Sequence, residues 1–356
     1  MKVVIPIENQ LSYNSIPRNK DLKLDIKNSC NVPSRVLVVD RRGNCFVCSC
    51  EAWLPISVGQ IQDFTTLEQV WNSPVAKFLQ DDVAQKKFTH CAVDRCGILI
   101  KDQKIINYSP TATDPDDYFN ISINIDDSCN LTCPSCRTSK IMITQGQEYE
   151  QRLSQVYHMV NLLENFEHPC HITMTGNGDP LASAIMRPLI HNYRPKNNHT
   201  IRLFTNGLLL KKQLSDSSIL KSITQYFISI DAGSKPVYEI VRQGGRWNNL
   251  LENLDWLKEI KKQTNATVLL KFVLQKDNWH DMENFADLCE SHGFNGVINR
   301  LEDWGTWKDF AKHDVIGNAL NPDHASAMQA LKHVYRRVST QLQFNSSLAQ
   351  LAKETA

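Results

Sequence analysis

The stretch "DDSCNLTCPSCRTS" (126–139) carries Cys129, Cys133 and Cys136 in a C-x3-C-x2-C spacing. A closed structural zinc site takes four ligands, and no fourth cysteine or histidine stands nearby in the sequence. Three thiolates from one tight loop can instead each hold one iron of a four-iron cubane, which leaves the fourth iron without a protein ligand. An open coordination position is where a metal centre does chemistry. A second group lies earlier in the chain: Cys30, Cys45, Cys48, Cys50, Cys91 and Cys96. Of eleven cysteines only Cys170 and Cys289 fall outside 30–136, both in apolar contexts that suit a small buried hydrophobe. An odd, clustered set in a chain expected in a reducing compartment points to metal or cluster ligation rather than disulfides.

The elements that must position these residues follow from hydrophobic periodicity. "YFNISINI" (118–125) alternates Phe119, Ile121, Ile123 and Ile125 at period two, as a strand does, and the three-cysteine loop comes directly after it. Helical spacing over 148–166 precedes a strand "CHITMTG", a helix over "ASAIMRPLIHNY" and a strand "TIRLFTNG". A helix near 211–221, a strand "QYFISI" and a long helix over 246–262 follow, then a strand "TVLLKFVL", a helix over 280–292 and a strand "GVIN". Six β/α alternations predict parallel strands with crossover helices, hence an α/β fold built on a partial (β/α)6 TIM-type barrel over 118–320. In such folds chemistry sits at the carboxyl ends of the strands, where the cysteine loop falls.

Ahead of the barrel, "YSPTATDPDDY" (108–118) reads as a linker centred on 109–117. Residues 1–108 form a small cysteine-rich domain in which "RVLVV" and the turn "DRRG" predict a β-hairpin. The tail 321–356 is predicted helical, since Met328, Leu331, Tyr335, Val338 and Leu342 recur at three and four. The 356 residues hold 39 basic and 38 acidic side chains, a net charge of +1 that gives no electrostatic case for nucleic acid or an anionic membrane surface. No run approaches the roughly 18 apolar residues of a membrane span. "MKVVIPIENQLSYNS" has too short an apolar stretch for a signal peptide, so the expected location is cytoplasmic.

"CNLTCPSC" in this setting resembles the signature loop of the radical S-adenosylmethionine (radical SAM) superfamily. The resemblance covers about 118–300 and implies a 4Fe–4S cluster on Cys129, Cys133 and Cys136. In that family the free iron chelates S-adenosylmethionine, and its reductive cleavage gives a 5′-deoxyadenosyl radical that abstracts hydrogen from substrate. The residue before the third cysteine, often aromatic in the family, is Ser135 here. "MTGNGDPLAS" (174–183) resembles the Gly-Gly-Glu-Pro motif, with Gly176, Gly178, Asp179 and Pro180 matching and Asp in place of Glu. That likeness implies that Asp179 and nearby carbonyls receive the methionine ammonium. "FISIDAGSKPVYEIVRQGGRW" (227–247) resembles the fourth-strand region of peptide-modifying members, which makes Ser229 and Arg242 candidates for the cofactor's carboxylate or ribose. "LFTNGLLL" adds Asn206, as cofactor contact or simple turn.

The N-terminal region resembles the SPASM/twitch modules of the same superfamily, including Gly59, Leu67 and Trp71 of "VGQIQDFTTLEQVW". The likeness implies one auxiliary 4Fe–4S cluster on Cys30, Cys48, Cys91 and Cys96, since six cysteines are too few for two fully ligated clusters. In those relatives the module follows the barrel; here it precedes it. A zinc site from Cys45, Cys48, Cys91 and Cys96 is the rival set. The resemblance further implies a reductant such as flavodoxin or ferredoxin. It admits a peptide or protein substrate, or a sugar or small metabolite. A non-catalytic iron–sulfur electron carrier and a zinc-stabilised binding module are the alternatives outside this class.

Overall fold

The structure is a computed structural model that describes residues 30–49, 53–92, 96, 118–337 and 341–354. Cys50 and the expected linker at 109–117 lie outside the described residues. Two compact units emerge. One draws on Met1–Asp127, Ile143–Asn177 and Ala184–Ile201, the other on Ser128–Met142, Gly178–Ser183 and Arg202–Ala356.

In the first unit a single-turn helix α1 (Val32–Arg35) leads into strand β1 (Val36–Val39). The expected hairpin is present: β1 pairs antiparallel with β2 (Asn44–Phe46), and β2 with β3 (Ser57–Gln60). Its turn is built by Asp40, whose Oδ1 accepts the N–H groups of Arg42 and Asn44 at 2.8 Å each. Gly43 closes it at φ +80°, where a Cβ would stand 2.4 Å from Gln155 Nε2. Two helices follow, α2 (Glu68–Asn72) and α3 (Pro74–Ala84). Ser73 separates them and caps α3, accepting the Ala76 N–H at 3.3 Å, with Pro74 in the first turn.

Strand β4 (Phe119–Ile123) pairs parallel with β1, Val36 opposite Asn120 and Val39 opposite Ile123. On its other side it pairs parallel with β5 (Cys170–Met174), reached through the long helix α4 (Gln147–Glu164). The hairpin therefore continues the sheet of the first β/α unit, in the order β3-β2-β1-β4-β5. Trp71 seals that joint. Its Nε1 donates to the Val36 carbonyl at 3.1 Å, and its ring lies 4.6 Å from Phe119 and 5.9 Å from Phe166. The helix expected over 182–193 shrinks to α5 (Arg187–His191), because Pro188 fits only the first turn of a helix.

In the second unit the strand order is β6 (His199–Thr205), β7 (Ile223–Ser229), β8 (Thr267–Leu274), β9 (Asn295–Arg300) and β10 (Leu342–Phe344). The helices between them are α6 (Leu210–Leu214), α7 (Lys235–Val241), α8 (Trp247–Thr264) and α9 (Met282–His292). The pairings β7–β8, β8–β9 and β9–β10 are parallel, as crossover helices require. Side chains alternate between two environments. Tyr226, Ile228, Leu270, Phe272 and Ile298 are completely buried, Phe272 with its ring 5.0 Å from that of Phe285 on α9. Phe227, Ser229, Lys271, Val297 and Asn299 on the opposite face are half-buried.

The tail differs from expectation. It holds α10 (His324–Arg336) and α11 (Ser346–Glu354), but Leu342 lies in β10, opposite Gly296 of β9. A free parallel edge supplied hydrogen bonds that local helical spacing could not foresee, and Val338 lies outside the described residues. Among the described residues no helix is long and apolar enough to cross a membrane. Trp71→Ala should remove the aromatic joint and leave the Val36 carbonyl without its donor. A loss of about 3–5 kcal/mol is expected in urea unfolding, and an unchanged midpoint would show that the joint is not needed for stability.

Candidate functional site

The three-cysteine loop is held by its own backbone. The Cys129 N–H donates to the Ile141 carbonyl at 2.9 Å, and the Cys133 carbonyl accepts from Cys136 at 2.9 Å and Arg137 at 3.0 Å. Thr132 N–H reaches the Gln243 carbonyl, just after α7, at 3.0 Å. Cys129 and Cys133 are buried and Cys136 is exposed. Two of the sulfurs receive donors. Leu131 N–H and Asn206 Nδ2 lie 3.4 Å and 3.8 Å from Cys129 Sγ, and Arg242 Nη1 lies 3.6 Å from Cys133 Sγ. Burial pushes the Cys129 thiol up to about 11, and it raises Cys133 against the pull of Arg242. Thiolate ligands in such a place need positive charge beside them, which a metal cluster provides.

Asp179 is the point where separate segments meet. Its Oδ1 accepts the Leu181 N–H at 3.0 Å, and its Oδ2 accepts Thr205 Oγ1–H at 2.8 Å and the Asn206 N–H at 2.6 Å. Its own N–H donates to the Ser128 carbonyl at 2.8 Å, beside Cys129. Burial raises its carboxyl pKa, opposed by these donors. Asp179 is 3% exposed, and its carboxylate serves three donors of its own chain. Asn206, expected as turn or cofactor contact, does structural work too: Nδ2 donates to Asn130 Oδ1 at 2.9 Å, and Oδ1 accepts the Leu208 N–H at 3.1 Å. Gly207 completes the turn at φ +82°.

Arg242 is neither an exposed helix arginine nor an open clamp. Nη2 lies 2.7 Å from Asp231 Oδ2 and Nε donates to the Ile230 carbonyl at 3.3 Å. Burial disfavours its charge, but Asp231 and Cys133 outweigh that and raise its pKa. Asp231, missed in the sequence, is buried at φ +57°, and its Oδ1 accepts the Val273 N–H at 2.8 Å. Its place two residues after Ser229 in "ISIDAG" was the available clue. Ser229 itself ends β7, half-buried, opposite Lys271 of β8. Gly176, Gly178 and Pro180 lie on the loop after β5. A further charged cluster lies in the first unit. Arg152 of α4 is buried and donates at 3.3 Å to Asp126 Oδ1, Asp127 Oδ2 and the Ile125 carbonyl, at the carboxyl end of β4.

The N-terminal cysteines sort into two sets. Cys30, Cys48, Cys91 and Cys96 line one cavity with Val32, Trp53, Leu54 and Phe88. Burial pushes the Cys30 thiol up to about 11 and raises Cys91, and the neighbouring sulfurs add to both shifts. Cys45 is elsewhere: fully buried on β2, with its Sγ 4.0 Å from the Gly43 carbonyl. The next residue, Phe46, packs with Val32, Val36 and Val38 beside Cys30 and Cys48, so strand alternation turns Cys45 to the other face. The rival zinc set containing Cys45 is therefore not assembled. Cys170 and Cys289 are buried, as expected of small hydrophobes, with thiols pushed up to about 12 by burial.

Two family models match separate stretches of the chain. Residues 123–289 match the radical SAM superfamily, and residues 30–97 match the iron–sulfur cluster-binding SPASM domain. Among solved structures, SuiB of Streptococcus suis bound to S-adenosylmethionine is similar at 16% identity, over 66% of this chain and 52% of that one, with TM-score 0.40. Native anSMEcpe with bound AdoMet and a peptide is similar at 17% identity, over 62% and 59%, with TM-score 0.37. The GTPase Obg of Brachyspira hyodysenteriae is 22% identical over 178 residues, 49% of this chain and 25% of that protein. The present chain thus spans a quarter of that curated relative, and it contains no G-x4-G-K-[ST] phosphate loop.

Asp179→Ala should strand three buried donors. A loss of about 3 kcal/mol or more is expected in urea unfolding of the metal-free protein, with Asp179→Asn losing less because it keeps an acceptor. A full-stability Ala variant would show that the donors find other partners and that the carboxylate is not a structural hub.

Proposed function

We propose that this radical SAM enzyme, with its SPASM domain ahead of the barrel, modifies a peptide or protein using clusters held on two separate cysteine sets. Cys129, Cys133 and Cys136 hold the cluster that binds S-adenosylmethionine; Cys30, Cys48, Cys91 and Cys96 hold one auxiliary 4Fe–4S cluster. When bound, the first cluster supplies the electron that splits a C–S bond of S-adenosylmethionine, giving methionine and the 5′-deoxyadenosyl radical. The observation that carries the reading is the three-cysteine loop, with N–H donors from Leu131, Asn206 and Arg242 on two of its sulfurs. Such donors stabilise thiolate-bound clusters and adjust their potential.

The residues around that loop have distinct tasks in this reading. Asp179 positions the loop and the Thr205–Asn206 turn, leaving backbone carbonyls around Gly176, Gly178 and Pro180 for the cofactor's ammonium. Asp231 holds Arg242 so that its guanidinium faces Cys133. Ser229, at the end of β7, contacts the cofactor. The SPASM domain and the likeness of 227–247 to peptide-modifying members support the peptide or protein substrate. An external one-electron donor such as flavodoxin or ferredoxin, in the cytoplasm, completes the scheme.

Anaerobic reduction with S-adenosylmethionine should yield 5′-deoxyadenosine from the reconstituted enzyme. Replacing Cys129, Cys133 and Cys136 together by Ala should abolish it and remove one cluster's iron; unchanged iron content would sink the assignment. The auxiliary set is tested by a pair of variants. Cys30→Ala should lose iron and sulfide, whereas Cys45→Ala should keep both, since Cys45 stands apart from the cavity. Full iron in Cys30→Ala together with metal loss in Cys45→Ala would overturn the four-cysteine assignment.

A further inference from the structure

We infer that the hydroxyl of Tyr238 is a further hydrogen-bond donor to a sulfur of the cluster held by Cys129, Cys133 and Cys136, and that it raises that cluster's reduction potential. This role rests on the reading of the three-cysteine loop as a cluster site. Tyr238 lies in α7, one helical turn before Arg242, whose N–H donates to the Tyr238 carbonyl at 2.8 Å. Its side chain is completely buried. Among the described residues its Oη meets no hydrogen-bond partner. A buried tyrosine hydroxyl usually finds one, and leaving it without costs about 1–3 kcal/mol.

Two glycines mark where the hydroxyl lies. A Cβ on Gly245 would stand 2.9 Å from Tyr238 Oη and 2.9 Å from its Cε1, so the tip of the ring reaches this turn only because glycine stands there. The Trp247 ring lies 5.4 Å from the tyrosine ring, tilted by 59°. The same turn rests on the cysteine loop. A Cβ on Gly244 would lie 3.5 Å from the Asn130 carbonyl oxygen and 3.7 Å from Leu131 Cδ2, and the Gln243 carbonyl accepts the Thr132 N–H at 3.0 Å. The charges that bear on the hydroxyl belong to this site. Burial first raises its pKa, Arg242 opposes, and Cys133, Asp231 and Asp179 add to the rise. The group is therefore a neutral donor at working pH. Tyr226 is the contrast: it too is completely buried with no partner for its oxygen among the described residues, but burial is the sole cause of its raised pKa. Reduction adds negative charge to a cluster, and hydrogen bonds to its sulfurs raise its potential. A hydroxyl supplies such a bond without the cost of burying another charge beside Arg242.

The test is a redox titration of anaerobically reconstituted enzyme, followed by electron paramagnetic resonance in the absence of S-adenosylmethionine. The signal that later addition of S-adenosylmethionine alters identifies the cluster and separates it from the auxiliary one. In Tyr238→Phe the ratio of reduced to oxidised cluster at a fixed potential should fall about threefold or more, a downward shift of about 28 mV for one electron. Tyr226→Phe should leave the potential where it is. In urea unfolding of the metal-free protein, Tyr238→Phe should be no less stable than the parent, because the hydroxyl it removes has no partner there. An unmoved potential in Tyr238→Phe, or an equal shift in Tyr226→Phe, overturns the inference. So does a loss of stability or of folding in metal-free Tyr238→Phe, which would show that the hydroxyl bonds within the chain. A shift that appears only with S-adenosylmethionine bound also overturns it, since the hydroxyl would then serve that molecule. Absence of any signal responsive to S-adenosylmethionine defeats the reading of the loop itself, whereas such a signal with an unmoved potential defeats the donor alone.

Discussion

The carboxylate of Asp179 is buried, and three donors from its own chain close around it. A buried acid in that position cannot be neutral to the fold. Removing it strands the N–H groups of Leu181 and Asn206 and the hydroxyl of Thr205, each at a cost of about 1–3 kcal/mol. What it gathers is functional. The segment before the first cysteine accepts the Asp179 N–H, and the turn that follows β6 sends Asn206 onto Cys129. Asp179 thus ties the cysteine loop to the turn after β6.

A second tie works by charge. Arg242 spans Asp231, the Ile230 carbonyl and Cys133. Breaking such a buried pair from one side leaves an uncompensated charge, so each member depends on the other. Asp231 adopts a left-handed backbone, which a short polar side chain tolerates better than a branched one. The first unit follows the same logic at the end of β4, where Arg152 collects Asp126 and Asp127 just ahead of the cysteine loop in the chain.

The N-terminal domain shows a different solution. Instead of a detached module, its hairpin donates β1 to the parallel edge of β4, and Trp71 fills the joint against Phe119 and Phe166. Sheet continuation satisfies edge hydrogen bonds that a free β4 would expose. It also fixes the hairpin's two faces. One carries Phe46 toward Cys30 and Cys48, and the other buries Cys45. Alternation on β2 thus sets Cys45 apart from the cavity that Cys30, Cys48, Cys91 and Cys96 line.

The sequence by itself determined the β/α alternation, because apolar residues at period two or near 3.6 leave little choice of element. It also determined the triple-cysteine loop, whose thiols are contiguous and need no folding to be seen together. The choice of Cys30, Cys48, Cys91 and Cys96 over a set containing Cys45 was legible only through resemblance; spacing alone left both open, since a strand's facing depends on what it packs against. Tertiary structure decided the rest. Leu342 fits a helical stripe but pairs with β9, as an unpaired edge outweighs local periodicity. The three donors on Asp179, from positions 181, 205 and 206, are brought to it only by folding. Phe204 and Lys271 lie far apart in sequence, and only folding brings the Lys271 Nζ to 5.5 Å from the centre of the Phe204 ring. Each of these depends on partners distant along the chain, and a one-dimensional pattern carries no record of such partners.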